Sequence, residues 1–145
     1  MKKSKKILIA GCGGMLGDAI YNTFKKEYDL FCTDIDLNEK WLSFLDFRKF
    51  IDYENKIKDF KPNYLFHIGA YTDLEFCEIN QDEAMNTNYY SVKNAVKLSN
   101  KYKCKLIFIS SAGVFDGTSD IYFDDDLPSP IGHYAKTKAL SEDYI

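Results

Sequence analysis

A chain of 145 residues with 19 Lys and Arg against 22 Asp and Glu has a net charge of −3, which excludes a nucleic-acid binder that works by bulk electrostatics. That length suits one domain burying about two thirds of the surface its unfolded chain exposes, and no apolar run nears the length of a membrane span. Cys12, Cys32, Cys77 and Cys104 lack CxxC or metal-ligand spacing, so the reading is no metal site, reduced buried thiols and a cytoplasmic protein.

In chain order, the lysines at positions 2, 3, 5 and 6 read as a solvated start to a strand at Ile7-Leu8-Ile9-Ala10. The strand breaks into Gly11-x-x-Gly14-x-x-Gly17, and Ile20 and Phe24 then share one helical face. A strand, a glycine turn and a helix start form a cradle for a dinucleotide pyrophosphate, because phosphates must approach bare N–H groups at a helix N-terminus. A second strand, 28–33, leads to Asp34, an acid at the separation expected for one that binds the adenosine ribose hydroxyls, with Asp36 as a rival. Cys12 stands at the helix start, where thiol pKa can fall, but packing is the simpler role.

Segments keep alternating: a short strand at 42–47, a helix at 51–60 closed by Pro62, a strand at 64–68 that includes His67, a long helix at 82–101, and a strand at 106–109. An acidic, proline-bearing loop, 124–130, precedes a last helix opening near Tyr134. Apolar strands separated by helices predict an α/β, doubly wound, Rossmann-like parallel sheet of about five strands with helices on both faces.

The strand at 106–109 ends in Ser110-Ser111, and the last helix carries Tyr134 and Lys138 on one face. Ser111 would bind a carbonyl oxygen, Tyr134 would give or take its proton, and Lys138 would lower the tyrosine pKa and hold a nicotinamide ribose. Tyr-x-x-x-Lys occurs three times, also at Tyr21/Lys25 and Tyr89/Lys93. Only Tyr134/Lys138 follows a strand ending in serines at the carboxyl edge of the sheet, where open α/β folds place ligands.

With Gly11-Cys12-Gly13-Gly14-Met15-Leu16-Gly17, Leu45-Asp46-Phe47, His67-Ile68-Gly69-Ala70-Tyr71-Thr72-Asp73, Asn86-Thr87-Asn88, the stretch from Ser110 to Thr118, and Tyr134 to Lys138 in this order, the sequence resembles the extended short-chain dehydrogenase/reductases. Within them it is similar to the nucleotide-sugar 4-keto reductases, the dTDP-4-dehydrorhamnose reductases. The resemblance implies that Gly11, Gly14, Met15 and Leu16 line the pyrophosphate beside Gly17, that Asp34 holds the adenosine ribose, and that Asp46 with Phe47 meets the adenine. It further implies that Gly69, Ala70 and Tyr71 flank the nicotinamide half, and that Asn88 is a structural or proton-relay asparagine. The implied catalytic set is Ser111, Tyr134 and Lys138, and the implied dimer uses the middle helix and the Tyr134 helix.

Asp34, with no arginine near the glycine turn, favours NAD(H), with NADP(H) second. Ser110-Ser111-Ala112-Gly113 is closer to the sugar epimerases, whereas Phe115-Asp116-Gly117-Thr118 is closer to the reductases. A nucleotide-sugar 4-epimerase is therefore the alternative enzyme, and a non-catalytic dinucleotide-binding or regulatory module the alternative of another class. Family members continue past the Tyr-x-x-x-Lys helix into a substrate-gripping region. The expectation is thus an NAD(P)-binding domain over residues 1–145 lacking that region, slow or inactive toward a nucleotide sugar, with an uncovered strand at 105–109.

Overall fold

Alternation along the first strand decides the layering, because successive side chains of a strand point to opposite faces. In the computed structural model, which describes residues 5–145, β1 (Lys6–Ala10) turns Ile7 and Ile9 to one face and Leu8 and Ala10 to the other. The lysines at positions 2 and 3 lie outside the described residues. The described chain gathers into two compact units, one of the residues up to Gly69 with Asn94–Ile109, the other of Ala70–Lys93 and Ser110–Ile145.

The first unit holds the sheet. Strands β1, β2 (Asp29–Asp34), β3 (Leu42–Phe44), β4 (Tyr64–His67) and β5 (Lys105–Phe108) pair in parallel in the order β3-β2-β1-β4-β5. Ile7 and Ile9 pack with Cys12, Cys32 and Leu42 beside Ile20 of α1 (Met15–Phe24). Leu8 and Ala10 pack on the opposite face with Tyr53 and Ile57 of α2 (Phe50–Phe60) and with Ala95 and Leu98 of α5 (Ser91–Tyr102). Helices therefore cover both faces, and each fully buried Leu or Ile contributes about 1.5–3 kcal/mol. Strand order reverses at β1, which places the glycine turn at the switch point where such sheets bind ligands.

Two boundaries differ from the sequence reading. The strand expected over 42–47 stops at Phe44, because the Asp46 carboxylate accepts the Arg48 N–H at 3.2 Å and folds the chain into a turn. Asp34 closes β2 instead of following it.

In the second unit, two short helices, α3 (Leu74–Ile79) and α4 (Gln81–Met85), run into a π turn at Asn86–Tyr90. The long helix expected over 82–101 is thus α4, the π turn and α5, and α3 was not foreseen. A 3-10 turn (Ala112–Val114) and α6 (His133–Tyr144) complete the unit, with residues 115–132 irregular between them. Helix α6 buries Ala135, Thr137, Lys138 and Ser141. Among the described residues no helix is long and apolar enough to cross a membrane.

Candidate functional site

In the first unit, the glycine turn is held from both sides by backbone. The Gly11 and Cys12 N–H groups both donate to the Thr33 carbonyl at 2.9 Å. Gly11 has φ +84, and a Cβ there would lie 2.1 Å from Gly69 Cα, so both geometry and space demand glycine. A Cβ on Gly17 would meet the Cys12 carbonyl oxygen at 2.1 Å, so this glycine lets the helix pack against the turn. Gly14, the N-cap of α1, would place its Cβ in open space, and Met15 beyond it is 93% exposed. The first turn of a ten-residue helix therefore points its free N–H groups at an accessible surface.

Asp34 ends β2 against this turn. Its Oδ2 accepts the Gly13 N–H at 2.8 Å and its Oδ1 the Asp36 N–H at 3.0 Å. The Gly13 carbonyl accepts from Asn38 Nδ2 at 3.1 Å. Asp36, the rival acid, contributes its backbone, which assigns the carboxylate at the turn to Asp34. Phe47 lies under Gly11 and Gly69, its Cε1 2.5 Å from the Cβ that Gly69 lacks.

Asp46 is buried and paired with Arg48, Nε to Oδ1 at 2.7 Å and the second guanidinium nitrogen to Oδ2 at 3.0 Å. The guanidinium bond holds the Asp46 carboxyl below the ordinary carboxylate range. His67 is a buried strand residue, its Nδ1 3.1 Å from the Tyr53 hydroxyl. All four cysteines are buried and free. The Cys12 Sγ donates to the Gly17 carbonyl at 3.5 Å, and the neighbouring Cys32 side chain, with burial, raises the Cys12 thiol above its ordinary pKa. That keeps Cys12 protonated at neutral pH and argues against its acting as a free thiolate.

In the second unit, Ser111 caps the 3-10 turn, its Oγ accepting the Gly113 N–H at 3.1 Å. Its hydroxyl lies near enough to the Tyr134 phenol to favour the phenolate. Ser110, by contrast, has a buried hydroxyl without a hydrogen-bond partner. Lys138, one turn along α6, is 4% exposed. Burial lowers its ammonium to about 8, opposed by the charge of Glu142.

The Tyr134 phenol departs from expectation. Its pKa lies above the ordinary value because burial outweighs the opposing influence of the Ser111 hydroxyl.

The other two Tyr-x-x-x-Lys pairs are different objects. Lys25 lies over the Tyr21 ring at 5.0 Å, with Tyr21 stacked on Trp41 at 4.1 Å, and Lys93 lies over Tyr89 at 5.3 Å and Tyr144 at 4.9 Å. In both the lysine packs on aromatic surface, a stabilising role.

Asn88 sits in the π turn and spends its amide on one neighbour: Tyr71 N–H donates to Oδ1 at 2.8 Å and Nδ2 donates to the Tyr71 carbonyl at 2.9 Å. This two-point clamp fixes the backbone after Gly69-Ala70 and assigns Asn88 a structural role. The Asn88 carbonyl in turn accepts from Ser141 Oγ at 2.9 Å, tying α6 to the π turn. An open cleft of about 400 Å3 adjoins Ser111, lined by Phe115, Tyr122, Asp124 and Glu142.

Sequence reasoning missed Asn38, Arg48 and Ser141. The last has a signal in the sequence, because it lies seven residues beyond Tyr134 on the same helical face.

Comparison with known proteins gives one family and a consistent fold. The description "RmlD substrate binding domain" matches residues 5–145. The methionine adenosyltransferase 2 subunit beta of Mus musculus is 32% identical over 143 residues, covering 96% of this chain and 42% of the relative. The dTDP-4-dehydrorhamnose reductase of Aggregatibacter actinomycetemcomitans is 28% identical over 144 residues, covering 94% of this chain and 45% of that enzyme. Among solved structures, the dTDP-4-dehydrorhamnose reductase of Bacillus anthracis in complex with NADP is 25% identical with a TM-score of 0.90, covering 99% of this chain and 50% of that one. The chain thus spans about half the length, or less, of these relatives.

Proposed function

The chain belongs to the RmlD substrate binding domain family, and from that premise we propose that it holds a nicotinamide dinucleotide and serves the reduction of a nucleotide-sugar 4-keto group. The observation that carries the reading is the Ser111 hydroxyl near enough to the Tyr134 phenol to act on its ionisation, with buried Lys138 one turn away, found at only one of the three Tyr-x-x-x-Lys pairs. Open space at Gly14 and an exposed first turn of α1 fit a pyrophosphate in the other unit. Asp34, already aimed at the turn, suits a free ribose 2'-hydroxyl and opposes a 2'-phosphate, which favours NAD(H) over NADP(H). The sole arginine, Arg48, is engaged by Asp46.

When bound, the dinucleotide supplies hydride. The chain's residues supply position and the proton. Ser111, whose Oγ already accepts from Gly113, can turn its own hydrogen from Tyr134 toward a carbonyl oxygen. Tyr134 Oη delivers the proton to that oxygen, and the positive charge of Lys138 favours the tyrosinate left behind. Four buried free thiols suit a reducing compartment such as the cytoplasm. Exposed Tyr90, Leu140 and Tyr144 suit a homodimer formed through the middle helix and α6.

The decisive test combines calorimetry with NADH and NADPH and a reduction assay on 4-keto nucleotide sugar. We expect tighter NADH binding and, in whatever chain turns over, a loss of at least about 100-fold in kcat for Tyr134→Phe with cofactor affinity nearly unchanged. Near-normal turnover in that variant would remove Tyr134 from the chemistry. A second reading, a dinucleotide-binding regulatory module, is supported by the 32% identity to a protein named as a subunit of another enzyme. It predicts dinucleotide binding with no reduction in either form.

A further inference from the structure

Two of the four cysteines meet under the glycine turn. Cys12 and Cys32 are 0% and 2% exposed and belong to one apolar cluster with Ile7, Ile9 and Leu42, with the Cys12 Sγ donating to the Gly17 carbonyl at 3.5 Å. Their backbones are tied as closely: the Cys12 N–H donates at 2.9 Å to the carbonyl of Thr33, the residue after Cys32. Cys77 and Cys104 lie outside this cluster.

From this juxtaposition we propose that Cys12 and Cys32 form a redox modification site, whose oxidation to a disulfide displaces the glycine turn and switches off dinucleotide binding. The inference rests on the dinucleotide reading above and adds its regulation.

The chemistry balances with hydrogen peroxide as oxidant. The Cys32 thiol is the more readily ionised, because the neighbouring Cys12 side chain lowers its pKa. Its thiolate attacks one peroxide oxygen and the O–O bond breaks, giving a sulfenic acid and hydroxide. The Cys12 sulfur then displaces hydroxide from the Cys32 sulfur, the S–S bond forms, and its thiol proton completes the second water. Two thiols lose two electrons and two protons, and the peroxide becomes two waters.

The turn is poorly placed to absorb that change. A covalent S–S bond is shorter than a thiol–thiol contact, so Cys12 must move toward β2. Gly11 and Gly13 flank it: Gly11 has backbone 2.1 Å from where its Cβ would be, and Gly13 is bonded to Asp34. Displacing Cys12 therefore displaces the N–H groups that would meet a pyrophosphate. Buried sulfurs also require the turn to open before oxidant enters. A bound dinucleotide, which favours the closed turn, should then protect the thiols, as linkage requires.

The test uses the purified chain with hydrogen peroxide as the probe. Expected are a mass lower by 2 Da, since two hydrogens leave, and a non-reducing peptide map joining Cys12 to Cys32. NADH affinity should fall about tenfold or more as the N–H cradle shifts and recover with dithiothreitol, and saturating NADH should slow the oxidation. Cys32→Ala should keep NADH affinity while resisting peroxide, and Cys12→Ala gives the same block should the first variant fold poorly. Absence of the Cys12–Cys32 link, or a disulfide with unchanged NADH affinity, overturns the proposal. If the reduced protein fails to bind either dinucleotide, the function reading fails, while the peptide map still decides the bond.

Discussion

At the scale of single residues, burial and charge make two positions testable without any assay of turnover. Lys138 is held near 8 by burial, below the ordinary lysine value of 10.5. The sign follows from linkage: between about pH 8 and 10.5 the unfolded chain holds the lysine proton more tightly than the folded one, so this group raises folding stability as pH rises through that window. At pH 7 the folded protein still carries the charge that the proposed Tyr134 step uses, and loses it as pH passes about 8. Carbon-13 NMR of the lysine ε-carbons should show one resonance titrating near pH 8, absent in Lys138→Met, and titration of every lysine above pH 10 would contradict the burial argument. Asp34 is the other position. Asp34→Ala removes the acceptor of the Gly13 N–H and the repulsion of a 2'-phosphate, so NADH binding should weaken about tenfold while NADPH binding holds or improves.

At the scale of elements, the glycines of one motif part company. Gly17→Ala drives a methyl into the Cys12 carbonyl and should cost about 3 kcal/mol in urea unfolding. Gly14→Ala meets nothing and should cost the fold less than about 1 kcal/mol while impairing dinucleotide binding. Asn88→Ala removes the acceptor of the Tyr71 N–H and one of the donors to the Tyr71 carbonyl, an expected loss of about 2–3 kcal/mol. These contrasts also mark what the sequence makes legible. Strand alternation and the glycine spacing lay out the sheet, because Ile7, Leu8, Ile9 and Ala10 are apolar on both faces and the turn has only one way to pass Gly69. The π turn is invisible because Asn86 to Tyr90 reads as ordinary helix, and its purpose appears only when Asn88 is seen clamping Tyr71. Likewise three Tyr-x-x-x-Lys pairs look alike as letters. Burial of Lys138 against the ring-packed Lys25 and Lys93 separates them.

At the scale of the whole molecule, the sheet ends in two parallel edges, β3 and β5, and apolar side chains reach solvent near both: Phe44 is 53% exposed and Ile109 38%. Open edges with apolar neighbours invite pairing, so light scattering on the 145-residue chain should show mass rising with concentration, and a strict monomer at high concentration would remove that expectation. The Asp46–Arg48 pair gives the molecule a built-in gauge of its own opening. Arg48 is the only arginine, so a protease specific for arginine has a single bond to cut, Arg48–Lys49, in the turn leading into α2. Cleavage requires that turn to loosen its ion pair, and the rate then counts local openings of one place in the chain. The same clock, run with and without NADH, would register whether a ligand reaches the neighbourhood of Asp46 through nothing more than the appearance of two fragments on a gel.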